Sequence, residues 1–187
     1  MHQSLHASQC KTATNGDGFG IGWYGSTGTP GLFLSTEPAW NDRNLRELAA
    51  LASSRRVFAH IRASTGSAVQ QTNCHPFRHG RWLWMHNGLV HGFPSLKRDL
   101  ALAVDPELFP EIEGSTDSEI IFYLAVSFGL EQDPPAAVAR ALLDSRLDYF
   151  TAYVCENLGS PDERVAVEIH PHRGAGGPRH LRALPAA

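Results

Sequence analysis

The first segment with chemical potential is residues 15–23, Asn-Gly-Asp-Gly-Phe-Gly-Ile-Gly-Trp, in which four glycines occupy alternate positions. Glycine weakens a strand, so this pattern indicates that another backbone or a ligand must come close. A phosphate-binding loop is excluded, because that motif needs a preceding strand and a following helix, and here a strand pattern follows. The simpler alternative is a tight turn that leads into a glycine-rich strand.

The second segment is residues 58–66, Phe-Ala-His-Ile-Arg-Ala-Ser-Thr-Gly. Arg62 ends an apolar strand pattern and is followed by the hydroxyl residues Ser64 and Thr65. A guanidinium group binds a carboxylate through two parallel hydrogen bonds, so Arg62 could hold a substrate carboxylate. An ordinary surface salt bridge is the alternative.

The third candidate joins residues 73–76, Asn-Cys-His-Pro, with residues 86–88, His-Asn-Gly. At a strand end, Asn87 and Gly88 could present a side-chain amide and a backbone N–H side by side. Two such donors are what an oxyanion hole requires. Asn-Gly is also the strongest signal for a type I′ turn, which taken alone is the better interpretation.

The fourth segment is residues 116–119, Thr-Asp-Ser-Glu, which has the pattern of a helix capping box. Asp117 is favoured at a helix start by the helix dipole, so capping is the default interpretation. A buried carboxylate at this position could also bind a substrate ammonium group.

The elements that would position these residues follow from hydrophobic periodicity and turn signals. Strands are predicted at residues 18–24, 32–34, 57–62 and 81–85, with a long loop at 63–79. Helices are predicted at 41–53, with Asn41 or Asp42 as the cap, at 94–103, from 116 onward, and at 134–147. Residues 165–169 alternate like a strand, and 174–187 have the composition of a disordered tail. This mixed order favours an α+β fold over a doubly wound sheet.

Length and composition limit the remaining possibilities. The 187 residues suit one domain, and the net charge of −3 is spread along the chain, which argues against a nucleic-acid or anionic-membrane partner. No apolar run predicts a membrane span. The three cysteines form no CxxC pair, so a cytoplasmic location is expected. No HExxH motif occurs and the histidines lack ligand spacing, so no metal is predicted, and a metal-dependent hydrolase stays the weakest hypothesis.

The order of these motifs resembles the class II glutamine amidotransferase domain, over about Leu5 to Asp133. These are N-terminal-nucleophile hydrolases that cut the side-chain amide of glutamine, and the likeness is greatest to their small stand-alone bacterial branch. The resemblance implies a four-layer α/β/β/α sandwich of antiparallel sheets. We expect a domain over residues 1–158 that is incomplete at its N-terminal strand and its C-terminal end, followed by a degenerate or disordered tail over 159–187.

The same resemblance implies roles for individual residues and no cofactor. Arg62 would hold the α-carboxylate of the substrate with Thr65 close by, and Asp117 would bind the α-ammonium group. The ligand would be glutamine or another small γ-glutamyl compound. With no synthase domain attached, a separate partner subunit or a homo-oligomer is a possible assembly.

At the reacting amide, the resemblance makes Asn87 and Gly88 the oxyanion hole, with His86 and the 73–76 loop as support. The family's nucleophile is a cysteine at the first position of the mature chain, whose α-amine acts as the base.

The sequence begins with Met1 and His2, so the family's cysteine is missing. Cys10 is too close to Asn15 to replace it, and the resemblance makes Cys74 part of a loop motif. We therefore expect an N-terminally truncated form, through a late start site, a truncation or a frameshift. Two hypotheses follow: a γ-glutamyl amide hydrolase whose true start lies upstream, or a protein that binds glutamine-like ligands without turnover. The chain of residues 1–187 is expected to be inactive.

Overall fold

The computed structural model describes residues 15–26, 28–64, 66–144, 149–156, 167–169 and 181–183, and for residues 144 and beyond it describes the backbone alone. In chain order the elements are β1 (Phe19–Trp23), β2 (Gly31–Ser35), α1 (Arg43–Leu51), β3 (Val57–Ile61), β4 (Phe77–His79), β5 (Trp82–Leu89), α2 (Phe93–Leu102), α3 (Asp117–Ser127), α4 (Pro134–Asp144), β6 (Tyr149–Glu156), β7 (Val167–Ile169) and β8 (Leu181–Ala183).

The strands form two antiparallel sheets and a separate pair. Sheet one has the order β2-β1-β3, and sheet two has the order β4-β5-β6. Strands β7 and β8 pair with each other. The fold is therefore α+β with antiparallel sheets, as the sequence predicts.

The two sheets approach closely at the glycine-rich strand β1. A Cβ atom on Gly20 would collide with the backbone carbonyl of His75, and one on Gly22 would lie 2.8 Å from side-chain atoms of both Leu83 and Pro76. Such distances are shorter than real Cβ contacts allow, so the 73–76 loop and β5 can pack here only against glycine. The predicted reason for the alternating glycines is confirmed.

The main core lies between sheet two and the helices. Trp82 and Trp84 of β5 are fully buried, and the Trp84 ring stacks on Phe122 of α3 with the centroids 5.6 Å apart. Helices α2, α3 and α4 contribute the other large buried side chains, among them Leu100, Ile120, Ile121, Leu124 and Val138. By contrast, α1 buries none of its residues.

Strand alternation assigns the two faces of β5. Leu83 packs with Tyr24 and Phe58 of sheet one, whereas Trp84 packs on α3. Because side chains alternate along a strand, Asn87 lies on the face of Leu83, and His86 lies on the helix face with Trp84. Strand geometry therefore sends neighbouring residues of the predicted site in opposite directions.

The predicted helix starts are largely confirmed. The Asp42 side chain accepts a hydrogen bond from the Leu45 backbone N–H at 3.0 Å and so caps α1. Thr116 caps α3 by accepting from the backbone N–H of Glu119 at 3.2 Å.

The second half of the predicted capping box is wrong. The Glu119 carboxylate accepts from the backbone N–H groups of Glu113 and Gly114, at 2.9 and 2.8 Å, and so bonds the segment before the cap. The side chain thereby satisfies two donors of that segment rather than the donor of the capping residue.

Two other expectations need correction. Asn87 and Gly88 do not form a turn: they lie inside β5, opposite Thr151 and Phe150 of β6. The predicted long loop 63–79 contains the short strand β4 at its end.

The domain limits remain predictions. Within the predicted tail the structure describes β7 and β8, and the other residues of 159–187 lie outside the described part, as do residues 1–14 with Cys10. In the described segments, no helix has the length and apolar character needed to cross a membrane.

Candidate active site

Arg62 follows the last residue of β3 and is only 4% exposed. Its Nη1 donates to the backbone oxygen of Asp17 at 3.2 Å, and its Nη2 lies within hydrogen-bond distance of Ser64, Ser67 and Ala68, with the shortest bond, 2.7 Å, to the Ser67 hydroxyl. The guanidinium group therefore holds the turn that follows β3. The predicted substrate neighbour Thr65 lies outside the described residues.

The long loop is anchored on the segment that precedes α3. Asn73 is fully buried, its Oδ1 accepts from the backbone N–H of Ser115 at 2.7 Å, and its Nδ2 donates to the backbone oxygen of Ala68 at 2.9 Å. One side chain thus connects the Arg62 turn to the start of α3. This bridge brings the second, third and fourth sequence segments together.

Asn87 and Gly88 lie near the end of β5 and are exposed. The Asn87 side chain lies close to the ring of His60, which lies on the inward face of β3 with Arg62. The amide predicted for the oxyanion hole therefore lies at the junction of the two sheets.

Asp117 is the first residue of α3 and is half-buried. Its Oδ2 accepts from the backbone N–H of Val90 at 2.8 Å, two residues after Gly88. Its Oδ1 accepts from the backbone N–H of Ser118 at 2.8 Å. The carboxylate predicted to bind an ammonium group thus lies beside the end of the strand that carries Asn87 and Gly88.

His86 is 2% exposed and connects β5 to α3. Its Nδ1 lies 2.7 Å from the hydroxyl oxygen of Ser118, and this hydroxyl lies 3.2 Å from Oδ1 of Asp117. A hydroxyl has one proton, so when Ser118 donates to Asp117 it accepts from Nδ1–H of His86. The three side chains form a hydrogen-bonded chain behind the predicted oxyanion hole.

Three histidines meet at this junction and are neutral at pH 7. Burial lowers the pKa of His60 to about 4, although the neighbouring Asn87 side chain opposes the shift. Burial also lowers the pKa of His86 to about 4, against the opposing charge of Asp117. The pKa of His75 lies well below its ordinary value, first because of burial and then because of His60, His86 and Arg62. Uncharged rings can pack together here without mutual repulsion.

Cys74 is unsuited to be a nucleophile. It is fully buried, and burial raises the pKa of its thiol, which leaves little of the reactive thiolate at pH 7. Its sulfur would lie 2.8 Å from a Cβ on Gly18, whose φ of +110° already demands glycine. Cys74 therefore packs the loop against β1, which agrees with its predicted place in a loop motif.

The structure links most of the predicted site residues and adds others. Arg62 and Asn87 both neighbour His60, and Asp117 neighbours His86. His60 was not among the predicted site residues. Strand alternation could have indicated it, because it places His60 on the same face as Arg62.

The metal hypothesis gains no support from this cluster. In the part of the chain that the structure describes, no group of three or more His, Cys, Asp or Glu side chains could hold a metal ion.

Comparison with known proteins identifies related sequences and a related structure. The sequence pattern of the class II glutamine amidotransferases matches residues 2–147. Probable glutamine amidotransferase DUG3 of Saccharomyces cerevisiae is 45% identical over 115 residues, which cover 59% of this chain and 32% of that protein. The γ-glutamyl-hercynylcysteine sulfoxide hydrolase of Mycobacterium tuberculosis is 32% identical over 141 residues, covering 74% of this chain and 55% of that one.

A solved glutamine aminotransferase class-II domain protein from Silicibacter pomeroyi has a TM-score of 0.66 and 37% identity, with 74% of this chain and 64% of that chain covered. The chain thus spans less than two thirds of each of these proteins. The matched residues 2–147 nevertheless include every predicted site residue. The chain belongs to the class II glutamine amidotransferase family.

Proposed function

We propose that this protein binds the γ-glutamyl group of glutamine or of a larger γ-glutamyl amide, and that the reaction of its site is hydrolysis of that amide. The observation that supports it is that the buried cation Arg62 and the Asn87 side chain both neighbour His60, while the half-buried Asp117 accepts from Val90, two residues after Gly88. A γ-glutamyl substrate has a carboxylate, an ammonium group and an amide carbonyl. These groups complement the cation, the anion and the amide donors in turn.

Asp117 is the stronger of the two charge assignments. Its carboxylate is partly solvent-accessible, and the two backbone bonds that it accepts leave lone pairs for an ammonium donor. Those bonds also hold the carboxylate in place before a ligand arrives. We therefore assign the α-ammonium group to Asp117.

Arg62 can bind the α-carboxylate only if its N–H donors are shared between the turn and the substrate. A guanidinium group has five N–H donors, and the Nη2 donors are divided among several acceptors of the 64–68 turn. The turn then acts with Arg62 as one anion-binding unit, to which Thr65 would contribute. In this proposal the carboxylate is held by Arg62 and the turn together.

The substrate class follows from two kinds of relative. The names of two matched relatives include glutamine and γ-glutamyl-hercynylcysteine sulfoxide. Both of these compounds contain a γ-glutamyl amide. A site that contacts only the γ-glutamyl end of its substrate would accept either compound. We infer that residues other than Arg62 and Asp117 contact the leaving group.

Turnover requires a thiol nucleophile, which would form a thioester with the γ-carbonyl and release ammonia or an amine. Among the described residues, Cys74 is fully buried and does not fit that role. A cytoplasmic location and assembly with a partner subunit or a second copy remain predictions.

The test is a calorimetric titration of residues 1–187 with L-glutamine, with glutaramate, which lacks the ammonium group, and with 4-aminobutyramide, which lacks the carboxylate. L-glutamine should bind most tightly. Asp117→Asn should weaken L-glutamine binding about 10- to 100-fold, the usual effect of one lost charge-assisted bond.

Asp99→Asn is the matched control, because it removes the same charge from an exposed position on α2. Equal binding by Asp117→Asn and Asp99→Asn would contradict the proposal, and so would equal affinity for the three ligands. Intact-mass analysis and amino-terminal sequencing of the protein from its native source would show whether a mature chain that starts with cysteine exists.

A further inference from the structure

Asn73 connects the two charged residues that the proposed function assigns to the ends of an amino acid. Its Nδ2 donates to the backbone oxygen of Ala68 at 2.9 Å, and Nη2 of Arg62 donates to the same oxygen at 3.0 Å. A carbonyl oxygen has two lone pairs, so it can accept both bonds at once. One atom of the 64–68 turn therefore joins the guanidinium group of Arg62 to the amide of Asn73.

The same amide also holds the segment before α3. Its Oδ1 accepts from the backbone N–H of Ser115 at 2.7 Å, and its Nδ2 donates to the Ser115 hydroxyl at 3.1 Å. Asn73 is fully buried, so its oxygen and its two N–H donors are all used inside the protein. A half-turn of the amide would set its oxygen against the carbonyl of Ala68. The hydrogen bonds therefore fix the side chain in one orientation.

Glu119 holds the rest of this segment. Its buried carboxylate accepts from the backbone N–H groups of Glu113 and Gly114 at 2.9 and 2.8 Å. A Cβ atom on Gly114 would lie 2.6 Å from side-chain oxygens of both Asn73 and Glu119, so the chain passes closely between them. Three consecutive N–H groups thus have acceptors on two buried side chains, and the backbone two residues before Asp117 is held in place.

We propose that Asn73 is a positioning residue that determines specificity: it sets the separation between Arg62 and Asp117, so that the site fits a carboxylate and an ammonium group carried on one carbon atom. The inference rests on the proposed function, which assigns those two groups to those two residues. A site with its spacing fixed before binding loses less entropy when an α-amino acid binds. If the two charges could move apart, a β-amino acid would bind nearly as well.

The first test needs neither a ligand nor a variant. Hydrogen exchange of the Ser115 backbone N–H is followed by NMR in ¹⁵N-labelled residues 1–187. The bond to the buried oxygen of Asn73 should slow this exchange about 100-fold or more relative to an unstructured peptide. Exchange close to the rate of the peptide would show that the bridge is not formed and would overturn the proposal.

The second test is the ratio of the affinities for L-glutamine and for β-glutamine, in which the amino group lies one carbon farther from the carboxylate. The original protein should prefer L-glutamine by about tenfold or more, and Asn73→Leu, which has a similar size and no hydrogen-bonding groups, should reduce the preference to about threefold or less. Gln70→Leu is the matched control, because Gln70 donates to Thr72 within the same loop at 2.8 Å. This control should keep the preference of the original protein.

Asn73→Asp is a second variant, for the case that Asn73→Leu does not fold. It keeps an acceptor for Ser115 and loses the donor to Ala68, so it should also reduce the preference. Its added charge weakens both ligands through the carboxylate that they share, and the ratio cancels that loss. An unchanged ratio in the folded Asn73 variants, or an equal reduction in Gln70→Leu, would overturn the proposal.

The outcomes distinguish this inference from the proposed function. Failure of the original protein to bind L-glutamine would contradict the proposed function, whereas the hydrogen exchange of Ser115 would still test the bridge. Binding of L-glutamine with the same preference in the original protein and the Asn73 variants would leave the proposed function intact and contradict the role of Asn73 alone.

Discussion

The two faces of sheet two are built differently. On one face, the helix-side core (the buried residues shared with α2, α3 and α4) is almost wholly apolar and includes Trp82, Trp84 and Phe122. On the other face, the inter-sheet region (Gly20, Gly22, Leu83, and His60 with His75) has close backbone contacts and buried imidazoles instead of bulky apolar packing. The helix-side core buries more apolar surface, so we expect it to supply more of the stability. The inter-sheet region supplies fixed positions for polar groups.

The comparison explains why the predicted site lies where it does. Close sheet packing through glycine brings His75 and the 73–76 loop onto β1, and this arrangement sets the histidine rings beside Asn87. Buried neutral imidazoles contribute less stability than apolar side chains of similar size. Sheet two therefore has its apolar core on the helix side, where the His86–Ser118–Asp117 chain is the polar exception, and buried polar groups on its other side.

The largest expected effect is in the helix-side core. Trp84→Ala should lower the free energy of unfolding by about 3–5 kcal/mol, because a fully buried indole stacked on Phe122 is lost and the cavity collapses only in part. Denaturant unfolding of residues 1–187 measures the change. Trp40→Ala is the control, since Trp40 is 51% exposed and should cost about 1 kcal/mol or less. Equal costs for the two tryptophans would remove the basis of the comparison.

The second largest effect is a change in the free energy of unfolding with pH, which comes from the inter-sheet region. The pKa of His60 is about 4 in the folded protein, below its ordinary value of 6.5. As the pH falls from 6.5 toward 4, the unfolded chain binds a proton there and the folded chain does not, so stability falls. The loss reaches about 3 kcal/mol near pH 4 and stops growing below it.

Denaturant unfolding at pH 7 and pH 4 checks this for the original protein and His60→Gln. The acid loss should be about 3 kcal/mol smaller in the variant. Glu119, whose pKa is raised by burial, shifts stability in the opposite direction, but it is present in both proteins and cancels. The same acid loss in both would show that His60 is not buried in the neutral form.

A smaller effect tests the close approach of the sheets. Gly20→Ala should destabilise by about 1–3 kcal/mol, because the added methyl group meets the carbonyl of His75 and the sheets must separate. Gly25→Ala is the matched control: no atom lies within 4 Å of its added Cβ, so the change should be near zero or slightly stabilising. Thermal unfolding of the two variants gives the comparison, and a neutral Gly20→Ala would contradict the packing argument.

The smallest effect concerns the cap of α3, which belongs to neither region. Thr116→Ala removes the acceptor for the Glu119 backbone N–H and should cost about 1 kcal/mol in unfolding free energy. Ser53→Ala, an exposed hydroxyl residue before β3, should change stability by no more than about 0.5 kcal/mol. If the two substitutions cost the same, the cap adds no measurable stability to α3.

Much of this structure follows from the sequence alone. Local signals predict Asn41 or Asp42 as the cap of α1, Thr116 as the cap of α3, the start of α2 near Pro94, and the glycine-rich strand β1, because capping and glycine entropy act within a few residues. The order of the motifs also predicts the family. These conclusions need no knowledge of which strands pair.

Only the tertiary structure decides the rest. Asn87 and Gly88 have the local preference of a turn but lie in β5, because β6, more than sixty residues later, supplies their pairing partners. The bonds of Glu119 to Glu113 and Gly114, and of Arg62 to Ser67, join residues only five or six positions apart, whereas the approach of His60 to Asn87 joins two strands that are distant in sequence. Short-range preferences specify elements, whereas contacts between residues far apart in sequence specify which polar groups meet, since both sheets must first be assembled.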